Sequence, residues 1–291
     1  MITSALFFGA VAQPIMAEIH GLQEQIFARS EQAIWATIPI DCWSDFNNPG
    51  IPRTEAVVGT GFLINEQGYF VTAGHVASID HVGSEEHPIP CKIKAVLRQR
   101  DGSGFSEQFE IIELDRDHDL ALCRILGFKT EDEKAAKKKK LPIPETSFHP
   151  FSSVAVETYA PRMGELLLMS GFPLGSYTPV LQLGLLSATE NIFPGLPRTP
   201  KDGGELLQIA INGNHGDSGA PIVDLTSGHV IGVILQVVPA PLAVGGALRF
   251  DVGDYQNSGI MLAAPASWVN ALLTKHGLSS ADVQPGRLVM W

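Results

Sequence analysis

Apolar residues along the chain fall in short runs broken by turn residues. Before residue 127 six runs read as strands: ATIPI from Ala36, VVGTGFLI from Val57, GYFVTAGH from Gly68, KIKAVLRQ from Lys92, FEIIELD from Phe109 and DLALCRIL from Asp119. They are rich in β-branched and apolar residues, and Asn-Pro-Gly, Glu-Gln-Gly and Asp-Gly-Ser-Gly part them. A second series follows: ELLLMSGFP from Glu165, VLQLGLLSAT from Val180, LLQIAI from Leu206, APIVDL from Ala220, HVIGVILQVV from His229 and SGIMLAAP from Ser258. Short strands at this spacing predict closed antiparallel barrels. Between the series the composition turns to charge and proline, which predicts a connector over 128–160. Within it Glu133 and Lys137 stand at helix-pair spacing. SWVNALLTKHG predicts an amphipathic closing helix, capped by Ser267 and stopped at Gly277. The expected fold is all-β: two six-stranded antiparallel β-barrels over about 33–127 and 161–266, a closing helix over 267–276 and a tail over 277–291.

Composition narrows the class. An apolar fraction of 45% and a charged fraction of 18% over 291 residues describe an ordinary globular chain with a sizeable core. A net charge of −11 excludes a nucleic-acid role, which needs clustered Lys and Arg, and gives no attraction to anionic membranes. The three cysteines, Cys42, Cys91 and Cys123, are too few and too odd for a disulfide framework. Cys123 reads as a buried apolar residue; a Cys42–Cys91 bridge stays open, with no sequence signal calling for it. His75, His81, His87 and Cys91 match no metal-ligand spacing, so no metal and no cofactor are expected.

Residues 1–32 form a separate N-terminal segment. Its apolar run, Ala5 to Ala12, is too short to span a membrane and has no Lys or Arg before it. We read it as a segment packing on the domain, with a signal peptide as the alternative. That reading favours the cytoplasm slightly over a secreted or periplasmic location.

The strongest local signal is NGNHGDSGAPIVD, Asn212 to Asp224. Ser218 stands in a glycine-rich turn before an apolar strand, the setting an attacking hydroxyl needs. The side chain projects from the turn, and the amides of Gly216 and Ser218, with Asp217 between them, can face a developing oxyanion. A serine needs a base, and the base needs an orienting acid. His75, at the end of GYFVTAGH, is either a core histidine or that base. Asp119, at the mouth of LALCRI, is the candidate acid; Asp117 and Asp115 are rivals placed further out.

These pieces, in the order GTGFLINEQGYFVTAGHV, LDRDHDLALCRI, SGFPLG, LGLLSAT, NHGDSGAPIVD, GHVIGVI and GIMLAAP, resemble a trypsin-like serine peptidase, nearest to the Deg/Htr-type proteases. The resemblance covers roughly residues 33–275. It implies that His75 and Asp119 come from the first barrel and Ser218 from the second, with peptide or protein substrates in the cleft between. It further implies that Asn212, Asn214 and His215 wall one side of the specificity pocket, and that Val233, Ile234 and Leu235 line the other. The chain departs from the pattern at Asp217, where Asn is usual, and at Ala220, where a second glycine is common; no PDZ module is expected. No activation start of the IVGG kind precedes His75, so Asp217 must find a partner other than a terminal ammonium. The rival to an endopeptidase is a catalytically silent peptide-binding protein on the same scaffold. An esterase fits poorly, since no Gly-x-Ser-x-Gly elbow surrounds Ser218. The oligomeric state is left open.

Overall fold

The computed structural model describes residues 3–43, 55–65, 67–84, 87–98, 104–126, 156, 161–189, 206–240, 242–244, 247–249 and 256–278. The connector with Glu133 and Lys137 and the tail beyond Leu278 lie outside these residues.

The chain opens with a helix, α1 (Thr3–Ala36), where the strand pattern had predicted no element. Its side chains are described from Ile19 on. Ala33 and Ala36 are buried in the main core and Ile26 packs against it, so its last turns belong to the domain. The Thr37 hydroxyl donates to the Ala33 carbonyl at 2.6 Å and turns the chain from helix into strand. Among the described residues, no helix is long and apolar enough to cross a membrane.

The first strand series builds β1 (Thr37–Trp43), β2 (Glu55–Leu63), β3 (Tyr69–Ala73), the hairpin β4 (His81–Ser84) and β5 (His87–Pro90), then β6 (Lys92–Arg98), β7 (Gly104–Glu107), β8 (Phe109–Asp115) and β9 (Leu120–Ile125). Seven of these form one sheet in the order β7-β6-β1-β2-β3-β9-β8, each pair antiparallel. Among the described residues this first of the two expected β units is a half-barrel sheet. The three strands that the pattern missed, β4, β5 and β7, are four residues each and carry no apolar run. His75 also lies outside its predicted strand, in a single helical turn, α2 (Gly74–Ala77).

The second series matches its expectation more closely. It forms β10 (Leu166–Gly171), β11 (Val180–Ala188), β12 (Leu207–Ala210), β13 (Pro221–Asp224), β14 (Val230–Ala240) and β17 (Gln256–Pro265), with a side hairpin of β15 (Leu242–Val244) and β16 (Ala247–Arg249). The barrel closes in the order β10-β11-β12-β17-β14-β13. Leu167, Met169, Ile209, Ile222, Ile234 and Met261 fill it, while Phe62, Phe70, Leu120 and Leu122 are buried in the first sheet. Each such side chain contributes roughly 1.5–3 kcal/mol of hydrophobic stabilisation.

The closing helix, α3 (Ala266–Lys275), starts straight after Pro265, so Ser267 lies inside the first turn and is not the cap. Pro265 fixes an extended backbone that carries β17 directly into the helix. Gly277 is the stop: its φ is +66°, its N–H donates to the Thr274 carbonyl and that of Leu278 to the Leu273 carbonyl. This paired closure satisfies two helix-end carbonyls. Lys275 and His276 both bond Glu113 of β8, and they hold its carboxyl below the usual range.

Cys42 in β1 and Cys91, before β6, form a disulfide, which the sequence had given no reason to expect. Their proximity follows from β1 pairing with β6, where Cys42 lies opposite Ile93. Cys123 is free and buried, and burial pushes its thiol pKa upward. The bridge spans 49 residues of chain, a separation for which loop closure predicts about 4 kcal/mol of stabilisation. Replacing Cys42 and Cys91 together by alanine is therefore expected to lower the unfolding free energy in urea by about 2–4 kcal/mol. An unchanged urea midpoint would show that the bridge does not constrain the chain.

Candidate active site

The strand β3 ends at Ala73 and the chain turns at once into α2, which places His75 at the rim between the two sheets. Three bonds seat it on Asp119: the Gly74 N–H donates to the Asp119 carbonyl at 2.7 Å, the His75 N–H donates to Asp119 Oδ1 at 2.7 Å, and His75 Nδ1 lies 2.8 Å from Asp119 Oδ2. The side chains are 22% and 12% exposed, enough for solvent access but largely desolvated. Asp119 has φ +53°, a left-handed backbone that aspartate tolerates better than most residues. The rivals fall away on geometry. Asp115 accepts from His118 Nδ1 at 2.7 Å and from the N–H groups of Asp117 and His118, while Asp117 is exposed. His118 in turn packs on the Trp268 ring of α3, with ring centroids 4.4 Å apart. Cys91 is bonded to Cys42 and the His81 ring lies 2.6 Å from Asp80, which takes both out of the loose cluster around His75; the side chain of His87 is outside the described residues.

Ser218 sits in the turn before β13, and this turn is pressed onto the first sheet. The Thr60 N–H donates to the Ser218 carbonyl at 2.8 Å, and the Thr60 hydroxyl donates to the Gly216 carbonyl at 2.7 Å. Gly219, at φ +88°, lies so close that a Cβ would be 2.0 Å from the Thr60 carbonyl and 2.9 Å from the Ala73 nitrogen, two residues before His75. The other carbonyls of the turn are also bound: His215 accepts from the Leu174 N–H at 2.7 Å and Asp217 from the Ala220 N–H at 2.8 Å. Its amides divide. Asp217 N–H donates to the Asn214 carbonyl and Gly219 N–H to the Ile234 carbonyl, whereas the N–H groups of His215, Gly216 and Ser218 have no acceptor among the described residues. Two of these three are the amides expected to face an oxyanion; Asp217, named with them, commits its N–H to the turn itself. The Ser218 hydroxyl donates to the Leu235 carbonyl at 3.3 Å.

The expected pocket residues separate into two groups. Asn212 and His215 are exposed and Asn214 half-buried, which leaves all three at the rim. Val233, Ile234 and Leu235, expected on the other side, are fully buried and packed in the core. The cause is the closed barrel: β14 is covered on one face by the barrel interior and on the other by the main core, so three successive apolar side chains find cover. Leu235 still reaches the site through its carbonyl, since the pairing of β14 with β17 slips between Ile234 and Gln236. Sequence reasoning missed Thr60, Leu174 and the pair of Tyr177 and Asp41, joined at 3.2 Å. Only Thr60 carried a signal, in its place between two glycines of the strand that leads to His75.

A trypsin-like peptidase domain matches residues 59–233, more than half of the chain, and the chain belongs to this family. Its relatives include Deg/HtrA-type proteases. Protease Do-like 5, chloroplastic, of Arabidopsis thaliana is 29% identical over 197 residues, 66% of this chain and 51% of that protein. A probable periplasmic serine endoprotease DegP-like of Ectopseudomonas mendocina is 25% identical over 228 residues, 78% of this chain and 38% of that protein. The chain thus spans about half or less of the length of these curated relatives. Among solved structures, Deg5 superposes with a TM-score of 0.50 at 23% identity over 74% of this chain and 85% of that one. The HtrA-type protease AlgW with a decapeptide gives 0.54 at 19% identity over 86% and 67%. At these identities the structures show a shared fold.

Asp217 is fully buried; its Oδ2 accepts from the Asn214 N–H at 2.8 Å, and its Oδ1 has no partner among the described residues. Burial pushes its carboxyl from the ordinary 3.8 up to about 6, and the Asn214 N–H offsets only part of that rise. A raised carboxyl pKa means that the folded chain holds the proton more tightly than the unfolded one. Stability is then full at low pH and falls as pH rises from about 4 to about 6, where it levels. An asparagine in its place would carry no charge, so Asp217→Asn is expected to gain on the wild type as pH rises through this window, by about 1–3 kcal/mol at neutral pH. Thermal unfolding of both proteins at about pH 4.5 and about pH 7.5 checks it; a difference that does not change with pH would overturn the account.

Proposed function

We propose that the chain is a serine endopeptidase in which His75 takes the proton of Ser218, Asp119 holds the imidazole in register, and the amides of Gly216 and Ser218 stabilise the oxyanion. The observation that carries this reading is the conjunction of the 2.8 Å contact between His75 and Asp119 with the amides of Gly216 and Ser218, which have no acceptor among the described residues. The contact at Nδ1 leaves Nε2 as the nitrogen that receives the proton. For attack, the Ser218 hydroxyl rotates from the Leu235 carbonyl towards His75. Its oxygen adds to the substrate carbonyl, the charge that develops on the carbonyl oxygen is met by the two amides, and His75 returns the proton to the leaving amine. Water then hydrolyses the acyl-enzyme with the same groups. The released Leu235 carbonyl accepts a substrate N–H, so an extended peptide lies along β14 with Asn212, Asn214 and His215 at its side.

The Cys42–Cys91 bridge supports an oxidising compartment over the cytoplasm favoured on sequence grounds, since disulfides are rare where thiols are kept reduced. The chloroplastic and periplasmic relatives point the same way.

The resting bond from Ser218 to Leu235 is the one observation that favours the silent peptide-binding alternative. A fluorophosphonate probe decides between them, because it labels a serine only where the base and oxyanion donors act on it. Wild type is expected to label at Ser218 and to cleave peptides. Ser218→Ala should lose about 10⁴- to 10⁶-fold in rate and all labelling, and Asp119→Asn about 10⁴-fold in kcat. A wild type that binds peptide but neither labels nor cleaves would leave the binding reading in its place.

A further inference from the structure

The loop after β10 holds a second backbone outlier. Leu174 has φ +55° and ψ +32°, a left-handed conformation that costs a leucine roughly 1–2 kcal/mol. Its side chain is 76% exposed, so packing does not hold it there. Hydrogen bonds do: the Leu174 N–H donates to the His215 carbonyl at 2.7 Å, the Phe172 N–H to the Thr60 hydroxyl at 3.1 Å, and the Tyr177 hydroxyl to Asp41 Oδ2 at 3.2 Å. Pro173, just before Leu174, has its own φ fixed by its ring, and Gly175, at φ +79°, takes the next left-handed step. The loop therefore touches β1, β2 and the serine turn at once.

The bond to His215 governs an amide. A peptide group is planar, with its C=O and N–H pointing opposite ways. A carbonyl of His215 tied to Leu174 turns the N–H of Gly216 away from the loop. The loop side of Gly216 is filled, since a Cβ there would lie 2.3 Å from the Phe172 carbonyl. Were this peptide to flip, the His215 carbonyl would take the place of the Gly216 N–H and present negative charge where the oxyanion forms.

We propose that Leu174 is a positioning residue: its left-handed backbone presents an N–H to the His215 carbonyl and thereby fixes the His215–Gly216 peptide with the Gly216 N–H turned into the cleft. The inference rests on the hydrolase reading above, and it assigns the effect to the backbone of Leu174, not to its side chain. Loss of one oxyanion donor costs about 10²- to 10³-fold in kcat where the donor is removed outright.

The test compares substitutions that differ in their tolerance of a positive φ. Leu174→Val and Leu174→Ile strongly disfavour it, whereas Leu174→Gly and Leu174→Asn accept it. The two β-branched variants are expected to fall about 10- to 100-fold in kcat below the Gly and Asn variants, with the same ordering in fluorophosphonate labelling rate. KM should change little, and the melting temperatures should follow the same order, the Gly and Asn variants above Val and Ile, because the strain at positive φ differs between them; kcat is therefore compared well below the lowest melting temperature. Equal kcat across the four variants overturns the inference while leaving the hydrolase reading intact. A Gly variant as impaired as Val would assign the effect to side-chain contact with substrate and also overturn it. A wild type that neither labels nor cleaves sinks both.

Discussion

The arrangement depends on Thr60. Its hydroxyl donates to the Gly216 carbonyl and accepts from the Phe172 N–H, its own N–H donates to the Ser218 carbonyl, and its carbonyl accepts from the Thr72 hydroxyl at 2.6 Å. One fully buried residue of the first sheet thus satisfies two carbonyls of the serine turn and one amide of the loop after β10. Left without partners, such buried groups would each cost about 1–3 kcal/mol. Because the bonds cross between sheets, the relative placement of His75 and Ser218 is set by hydrogen-bond length and not by apolar packing alone. Apolar surfaces can slide over one another; a hydroxyl that must donate and accept at fixed distances cannot.

So close a junction leaves no room for side chains. A Cβ on Gly219 would collide with Thr60 and Thr72, and one on Gly59 would lie 2.4 Å from Val76 in the helical turn of His75. Both glycines follow from the approach of backbone to backbone, and Gly219 also from its positive φ. Asp119 meets the same demand differently. It takes a left-handed conformation despite its side chain because the backbone of Gly74 and both the backbone and ring of His75 bond to it. The strain in the turn after β8 is offset by the contact that the turn exists to make.

Much of this was legible in the sequence, and the reasons differ by element. The strands of the second barrel were readable because each is a continuous apolar run in a closed barrel. The four-residue strands of the first sheet were not, since pairing alone defines them. The helix α1 escaped because the reading was tuned to short runs and its N-terminal apolar stretch was weighed only as a packing or targeting segment. His75, Asp119 and Ser218 stood out as candidates because each stands at the end or mouth of an apolar strand, where a polar residue needs a reason, and the contact between His75 and Asp119 is the part the fold supplies. Val233 and Ile234 could not be seen as buried from the sequence, because their cover comes from β13 and β17, which pair with β14 on either side. Thr60 and Leu174 bond partners more than forty residues away in sequence, and no local pattern encodes that.

Asp217 shows why the serine turn needs this external frame. Its carboxylate satisfies the Asn214 N–H with one oxygen and leaves the other against Gly171, where a Cβ would fall 2.2 Å from Oδ1. A buried, half-bonded carboxylate weakens the turn it occupies once it is ionised. The turn cannot then owe its shape to its own side chain. It keeps that shape because its carbonyls are held from outside, by Thr60 in β2 and Leu174 beyond β10, and because Gly219 is tied to Ile234 in β14. The order of the serine turn is in this sense a property of three distant segments, and any change that loosens one of them acts on Gly216 and Ser218 without touching either.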